Sequence, residues 1–148
     1  MMKATDFLNQ LKRMEESIKD KLEEVAQLKS IALVVTAVSN NVIIDGEKHS
    51  ADRVQSSGSQ QKMADTICKY VDLEKEIDHD IDRLIEKRDE VLAVINALEK
   101  PVQCTVLRKK YVQFKSFKRI AEEMNYTYQY IIEQHNKALK NVQKILDF

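Results

Sequence analysis

Basic side chains suited to binding phosphate are concentrated in the last third of the sequence. From Pro101 onward the chain carries nine Lys and Arg residues against four Asp and Glu residues, whereas the first hundred residues carry 15 basic and 20 acidic ones. The 24 basic and 24 acidic residues of the whole chain cancel, so a basic segment is joined to an acidic remainder. A basic segment of this kind attracts the phosphates of nucleic acid. The side chains predicted to contact phosphate are Lys115, Lys118, Arg119, Lys137 and Lys140.

The residues among these cations predict two helices joined by a tight turn. The first helix is expected from about Phe117 to Met124, with the small side chain of Ala121 facing the inside of the motif. Asn125 falls where the turn needs a left-handed backbone, which asparagine tolerates better than most residues. Thr127 is the predicted N-cap of the next helix, because its hydroxyl can accept a hydrogen bond from a free backbone amide.

The second helix of the motif carries an apolar stripe with helical spacing. One face is therefore expected to pack inward, while the opposite face is free to enter a groove of a duplex. A histidine on such a stripe predicts a packed side chain and not a ligand. The stripe consists of Ile131, Ala138, Val142 and Ile145, with His135 between the first two.

Three short motifs in this segment resemble region 4 of sigma-70 type transcription factors, the domain that reads the upstream promoter element. They are Val-Leu-Arg-x-x-Tyr at 106–111, Ile-Ala-Glu at 120–122 and Lys-Ala-Leu at 137–139, within a likeness that covers residues 105–146. Over its whole length, including Val-Gln-Ser-Ser-Gly-Ser at 54–59, the chain resembles a phage-encoded family of unknown function. Late-transcription activators of the ArpU/RinA type are related in outline.

This resemblance implies that Tyr128, Gln129 and Glu133 meet base edges in the major groove. Gln129 can pair with adenine through two hydrogen bonds, and Glu133 can accept from cytosine. The sequence also departs from region 4 here, because Tyr128, Tyr130 and Ile132 stand where region 4 carries basic residues and Glu133 replaces a usual glutamine. Apolar residues at these positions could face a protein instead of DNA.

The first hundred residues predict a long antiparallel helical hairpin resembling a coiled coil. Two Gly and one Pro in 148 residues leave few places to turn, and Pro101 marks the boundary between a body at 1–100 and a helix-turn-helix module at 101–148. The expected fold class is therefore all-α. The first heptad seam is Ala4, Phe7, Leu11, Met14, Ile18, Lys21, Val25, Leu28, Ala32 and Val35. The second seam is Met63, Ile67, Tyr70, Glu74, Ile77, Ile81, Leu84, Arg88, Val91, Ile95 and Leu98.

Additional apolar residues make both seams wider than one hairpin can bury. A second copy of the chain is the simplest candidate to bury the remaining apolar surface, so we expect a homodimer through the long helices. The widening residues are Leu8, Leu22, Ile31 and Val34 on the first helix and Val71, Leu73, Ile85 and Leu92 on the second.

The segment between the long helices, about 39–58, predicts a mobile loop because its periodicity breaks and it is rich in Asn, Ser and Asp. The alternative is a small hairpin at 42–47 around the Asp45-Gly46 turn. Ser57 with Gln60 has the spacing of a capping box, so the second long helix is expected to begin at Ser57 or Ser59.

The sequence offers no constellation for catalysis, a metal or a cofactor. The three histidines are scattered, no glycine-rich phosphate loop is present, and the acidic residues from Asp72 to Asp82 are spread around a helix. Cys68 and Cys104 are expected to be reduced and mostly buried. No signal peptide or membrane-spanning run is found, which predicts a cytoplasmic protein. The resemblance to a phage-encoded family implies that the cell is a bacterial host.

Two hypotheses remain. In the first, which we favour, a dimeric body presents basic helix-turn-helix modules to double-stranded DNA and regulates transcription of phage or prophage genes. In the second, the chain is a non-catalytic coiled-coil protein with a degenerate helix-turn-helix that binds a protein partner, for example the transcription machinery. RNA polymerase is a possible partner of the acidic helix face in either case.

Overall fold

A computed structural model of the protein describes residues 2–44 and 49–148, with the side chains of residues 2–35, 37, 58 and 60–148. All regular structure in these residues is helical, which confirms the all-α class. A π-helical turn, Arg108–Val112, continues the third helix without a break. The α-helices are α1 (Ala4–Ile44), α2 (His49–Asn96), α3 (Pro101–Leu107), α4 (Phe117–Met124) and α5 (Tyr128–Leu146).

The predicted loop at 39–58 is wrong over the described residues, because α1 continues to Ile44 and α2 already begins at His49. The alternative hairpin is wrong at 42–44 for the same reason, and its Asp45-Gly46 turn lies outside the described residues. Neither Ser57 nor Ser59 begins α2. Asn and Ser lower helix propensity by only about 0.7 kcal/mol per residue at most and remove no backbone donor, so a polar composition alone does not end a helix.

The described residues form two compact units. The first unit joins the residues up to Glu16 with Asp82–Phe148, and the second is Ser17–Ile81. Residues of the predicted body, 1–100, therefore pack in one unit with the predicted module, 101–148.

The core of the first unit contains side chains from both ends of the chain. The backbone amide of Ala4 donates to Gln143 Oε1 at 2.8 Å, which fixes the start of α1 on α5. Leu8 is fully buried in this core, so it needs no second copy of the chain to cover it. The buried members are Ala4, Phe7, Leu8, Leu11, Val91, Ile95, Leu98, Leu107, Tyr111, Ala138 and Val142.

In the second unit, α1 and α2 run antiparallel, and ion pairs bind the charged seam residues Lys21 and Glu74. Lys21 binds Asp80, and Lys29 Nζ lies 2.8 Å from Glu74 Oε1. These hydrogen bonds raise the pKa of both lysines. Ile77 is buried in this unit, but Ile81, predicted as a seam residue, is exposed.

In the described part of the chain, no helix combines the length and the apolar character that a bilayer crossing requires.

Both cysteines are free thiols. Cys68 is exposed and Cys104 is half-buried, so the expected burial is wrong for Cys68. Cys68 lies off the heptad seam, where a helix of the hairpin faces solvent.

Candidate nucleic-acid interface

Three capping residues set the bounds of α4 and the start of α5. Ser116 Oγ accepts a hydrogen bond from the backbone amide of Arg119 at 3.2 Å, which begins α4. Asn125 ends α4 with φ 58° and ψ 39°, in the left-handed region. Thr127 Oγ1 accepts from the amide of Tyr130 at 3.1 Å and begins α5. Only two residues, Tyr126 and Thr127, therefore separate the left-handed position from the first residue of α5.

A small apolar cluster holds α4 and α5 together. Val106 of α3, Ile120 and Ala121 of α4 and Ile131 of α5 are buried against one another. A larger side chain at Ala121 would have to displace these neighbours, because protein interiors are close-packed. The short side chain of Ala121 thus allows α4 and α5 to pack closely.

A buried hydrogen bond between Tyr111 and His135 fixes α5 on the π-helical turn. The Tyr111 hydroxyl lies 2.7 Å from His135 Nε2, and Phe117 packs edge-on against the imidazole. Burial lowers the pKa of His135 and raises that of Tyr111. His135 Nδ1 lies 3.3 Å from Asn136 Oδ1, a separation that suits an Nδ1–H donor and leaves Nε2 to accept from the Tyr111 hydroxyl. His135 is thus a packed residue.

The side chains predicted to read bases are exposed near the start of α5. Tyr128 is 56% exposed, and Gln129 and Glu133 are also exposed and lie one helical turn apart. Beside them the rings of Tyr126 and Tyr130 lie 4.6 Å apart. The surface that these residues form is polar at Gln129 and Glu133 and aromatic at the tyrosines.

The five predicted phosphate-binding side chains fall into two groups. Lys118, Lys137 and Lys140 are exposed. Lys115 and Arg119 instead bind Glu123, with Lys115 Nζ 2.9 Å from Glu123 Oε1 and Arg119 Nε 3.4 Å from the same oxygen. Lys109 Nζ approaches the other carboxylate oxygen at 3.0 Å. We refer to Lys109, Lys115, Arg119 and Glu123 as the Glu123 cluster. Sequence reasoning missed Lys109 and Glu123, although the four-residue spacing of Arg119 and Glu123 on one helix was a visible signal.

The Glu123 cluster predicts a change in acid stability. Hydrogen bonds from Lys115 and Lys109 lower the pKa of Glu123 from 4.5 to about 2. A carboxylate with a lowered folded-state pKa stabilises the fold fully above its unfolded-state pKa, and this contribution is lost as the pH falls toward the folded-state value. We therefore expect Glu123→Gln to flatten the decline of the free energy of unfolding between pH 4.5 and 2.

Urea denaturation at several pH values measures this decline. Glu122→Gln is the matched control, because it removes a neighbouring exposed carboxylate and should retain the wild-type slope. Equal slopes for Glu123→Gln and wild type would contradict the role of the cluster in stability.

The left-handed turn predicts that two small substitutions at Asn125 differ in their effect on stability. Glycine adopts φ 58° without strain but loses more entropy on folding, so we expect Asn125→Gly to change the free energy of unfolding by less than about 1 kcal/mol. Alanine is strained in this region, and Asn125→Ala should destabilise by about 1 kcal/mol. Thermal or urea denaturation compares the two variants, and a glycine variant less stable than the alanine variant would exclude the turn described here.

Comparison with known proteins identifies a family without an established activity. Residues 43–143 match a family described as protein of unknown function, DUF1492. The match extends from the end of α1 through α2, α3 and α4 into α5. No curated protein and no solved structure matches the chain.

Proposed function

The chain belongs to the DUF1492 family of proteins of unknown function, and we propose that it is a sequence-specific DNA-binding regulator of phage or prophage transcription. The observation that carries this proposal is the tight turn at Asn125, which joins α4 to a helix with Gln129, Glu133, Lys137 and Lys140 on one exposed face. In helix-turn-helix proteins the second helix enters the major groove through its N-terminal residues. The motif resemblance to sigma region 4 supports the same orientation.

The residues of the interface have separate roles in this proposal. Gln129 and Glu133, together with Tyr128, meet base edges and provide sequence preference. Lys118, Lys137 and Lys140 contact phosphates and provide affinity for any duplex. The segment from Pro101 onward has a positive net charge, whereas the first hundred residues have a negative one. The positive charge directs this segment toward DNA.

The protein acts as a homodimer in this proposal, as do many helix-turn-helix regulators. Apolar side chains in the second unit support association through the long helices, because they remain exposed in a single copy. Leu22, Ile31, Leu33, Val34 and Val71 are exposed there. Ile85, in the first unit, is exposed as well.

An interaction protein without DNA binding is the second candidate. Exposed Tyr126 and Tyr128 favour it, because aromatic side chains are enriched where proteins bind one another. In that case α5 docks on a protein such as RNA polymerase. The resemblance to ArpU/RinA-type activators would then be limited to the general arrangement of the chain.

A duplex-binding experiment separates the two candidates. Mobility shifts and footprints across the promoter regions of the parent genome should reveal a protected site, with an affinity that falls steeply as salt increases. Gln129→Ala should change the preferred sequence by about 1–3 kcal/mol of discrimination per contacted base and leave random-sequence binding unchanged. If the wild-type protein has no salt-sensitive affinity for any duplex, the DNA-binding proposal fails and the interaction protein takes its place.

A further inference from the structure

The backbone between α3 and α4 has two unusual features that bring Lys109 and Lys115 together. The π-helical turn after Leu107 is wider than an α-helical turn, and in it the backbone amide of Gln113 donates to the carbonyl oxygen of Arg108 at 3.0 Å. Phe114 then has φ 58°, an uncommon conformation for a large side chain. As a result the Lys115 amide donates to the carbonyl oxygen of Lys109 at 3.0 Å. π-helical turns are rare and are frequent at functional sites.

The two lysines and Arg119 surround a single carboxylate. Lys115 Nζ lies 2.9 Å from both oxygens of Glu123, and Lys109 Nζ lies 3.0 Å from one of them. Each distance is that of a charge-assisted hydrogen bond. Three cations around two oxygens form an arrangement that would equally suit two oxygens of a phosphate, because both groups are anions that accept hydrogen bonds from ammonium and guanidinium groups.

Lys115 precedes α4 and Arg119 lies in its first turn, and both side chains extend along the helix to Glu123 in its last turn. A phosphate that reaches the charged ends of these side chains therefore meets Glu123 already bound to them.

We propose that the Glu123 cluster is a phosphate-binding site for the DNA backbone, that the Glu123 carboxylate occupies it in the free protein, and that a duplex phosphate displaces this carboxylate. The inference rests on the proposed DNA-binding function and adds an internal competitor to it. Glu123 then limits affinity for every duplex alike, so that more of the total affinity depends on base contacts by α5. Lys109, which the sequence pattern did not indicate, becomes a phosphate ligand.

Two isosteric substitutions distinguish this competition from a general effect of charge. Glu123→Gln and Glu122→Gln each remove one negative charge from adjacent positions of α4, but only the first removes the carboxylate bound by Lys109, Lys115 and Arg119. The probe is a fluorescently labelled random-sequence DNA duplex, titrated with the full chain at several salt concentrations and followed by anisotropy. Circular dichroism verifies that each variant is helical.

Glu123→Gln should bind the duplex several-fold more tightly than Glu122→Gln at low salt. The slope of log K against log salt should be similar for the two variants, because the cluster neutralises the same phosphate in both complexes. Equal affinities for the two variants, with wild-type binding intact, would overturn the inference and leave the proposed function standing. Weaker binding by Glu123→Gln would also overturn it. The absence of salt-sensitive binding in all three proteins would remove the proposed function together with the inference.

A measurement on the wild-type protein avoids any effect of substitution on folding. The side-chain carboxyl ¹³C resonance of Glu123 should shift when the duplex is added at neutral pH, because its hydrogen bonds to the lysines are lost, while that of Glu122 should stay in place. An unchanged Glu123 resonance at saturating duplex would refute displacement.

Discussion

Replacing Lys118, Arg119 and Lys137 together by alanine is expected to remove most of the affinity for DNA, on specific and random duplexes alike. Lys118 and Lys137 are exposed, and the side chain of Arg119 is 66% exposed despite its ion pair with Glu123. Each phosphate that the variant no longer neutralises should reduce the salt dependence of log K by about 0.9. Anisotropy titrations of both duplexes between low and moderate salt measure the affinity and the slope.

A control with the same change of net charge tests whether the position of the cations matters. Lys62, Lys69 and Lys75 are exposed lysines of α2 in the second unit, and their joint replacement by alanine should leave both affinity and slope close to wild type. If the two triple variants bind equally well, the affinity follows the total charge of the protein, and the assignment of the DNA interface to α4 and α5 is wrong.

Ile77→Asp is expected to unfold the second unit or to destabilise it by at least about 3 kcal/mol. Ile77 is only 4% exposed in the seam between α1 and α2. The substitution removes a large apolar side chain and places an unpaired carboxylate in the space it leaves. Urea denaturation at a fixed protein concentration gives the loss of stability, and a variant as stable as wild type would show that Ile77 is not a core residue.

Ile81→Asp separates the stability of one copy from association of two. Ile81 is 38% exposed within the second unit, so a carboxylate there remains hydrated, and a single copy should lose less than about 1 kcal/mol. If the exposed apolar side chains of the long helices form a dimer interface, this variant should nevertheless sediment as a monomer while wild type sediments as a dimer. A monomeric wild-type protein at micromolar concentration would refute the homodimer.

The parts of the fold that local physics determines could be predicted from the sequence. Heptad spacing identified the two long helices, since the apolar face of a long amphipathic helix must be covered. The position of Asn125 followed from the few residue types that adopt a left-handed backbone, and the bounds of α4 followed from the apolar pattern on either side of that turn.

Features that depend on contacts between distant residues could not be predicted. The loop at 39–58 was inferred from composition, but helix propensities differ too little for Asn and Ser to end a helix. The π-helical turn and the positive φ of Phe114 have no local sequence signal. The hydrogen bond between Tyr111 and His135 joins residues 24 positions apart, and neither side chain alone indicates its partner. For the same reason the Glu123 cluster could not be predicted, because Lys109 is distant from Glu123 in the sequence.

The start of α1 packs in one core with α5, where the hydrogen bond from Ala4 to Gln143 fixes it. This packing affects how the chain folds during its synthesis. Phe7 and Leu8 leave the ribosome long before Ala138 and Val142, which pack in the same buried cluster. Contacts so distant in sequence slow folding, because the chain between them must be ordered before they form. Until α5 emerges, the first turns of α1 present an apolar surface to the cell, a state in which nascent chains are prone to aggregate. The first unit can therefore complete its core only after translation has reached the end of α5.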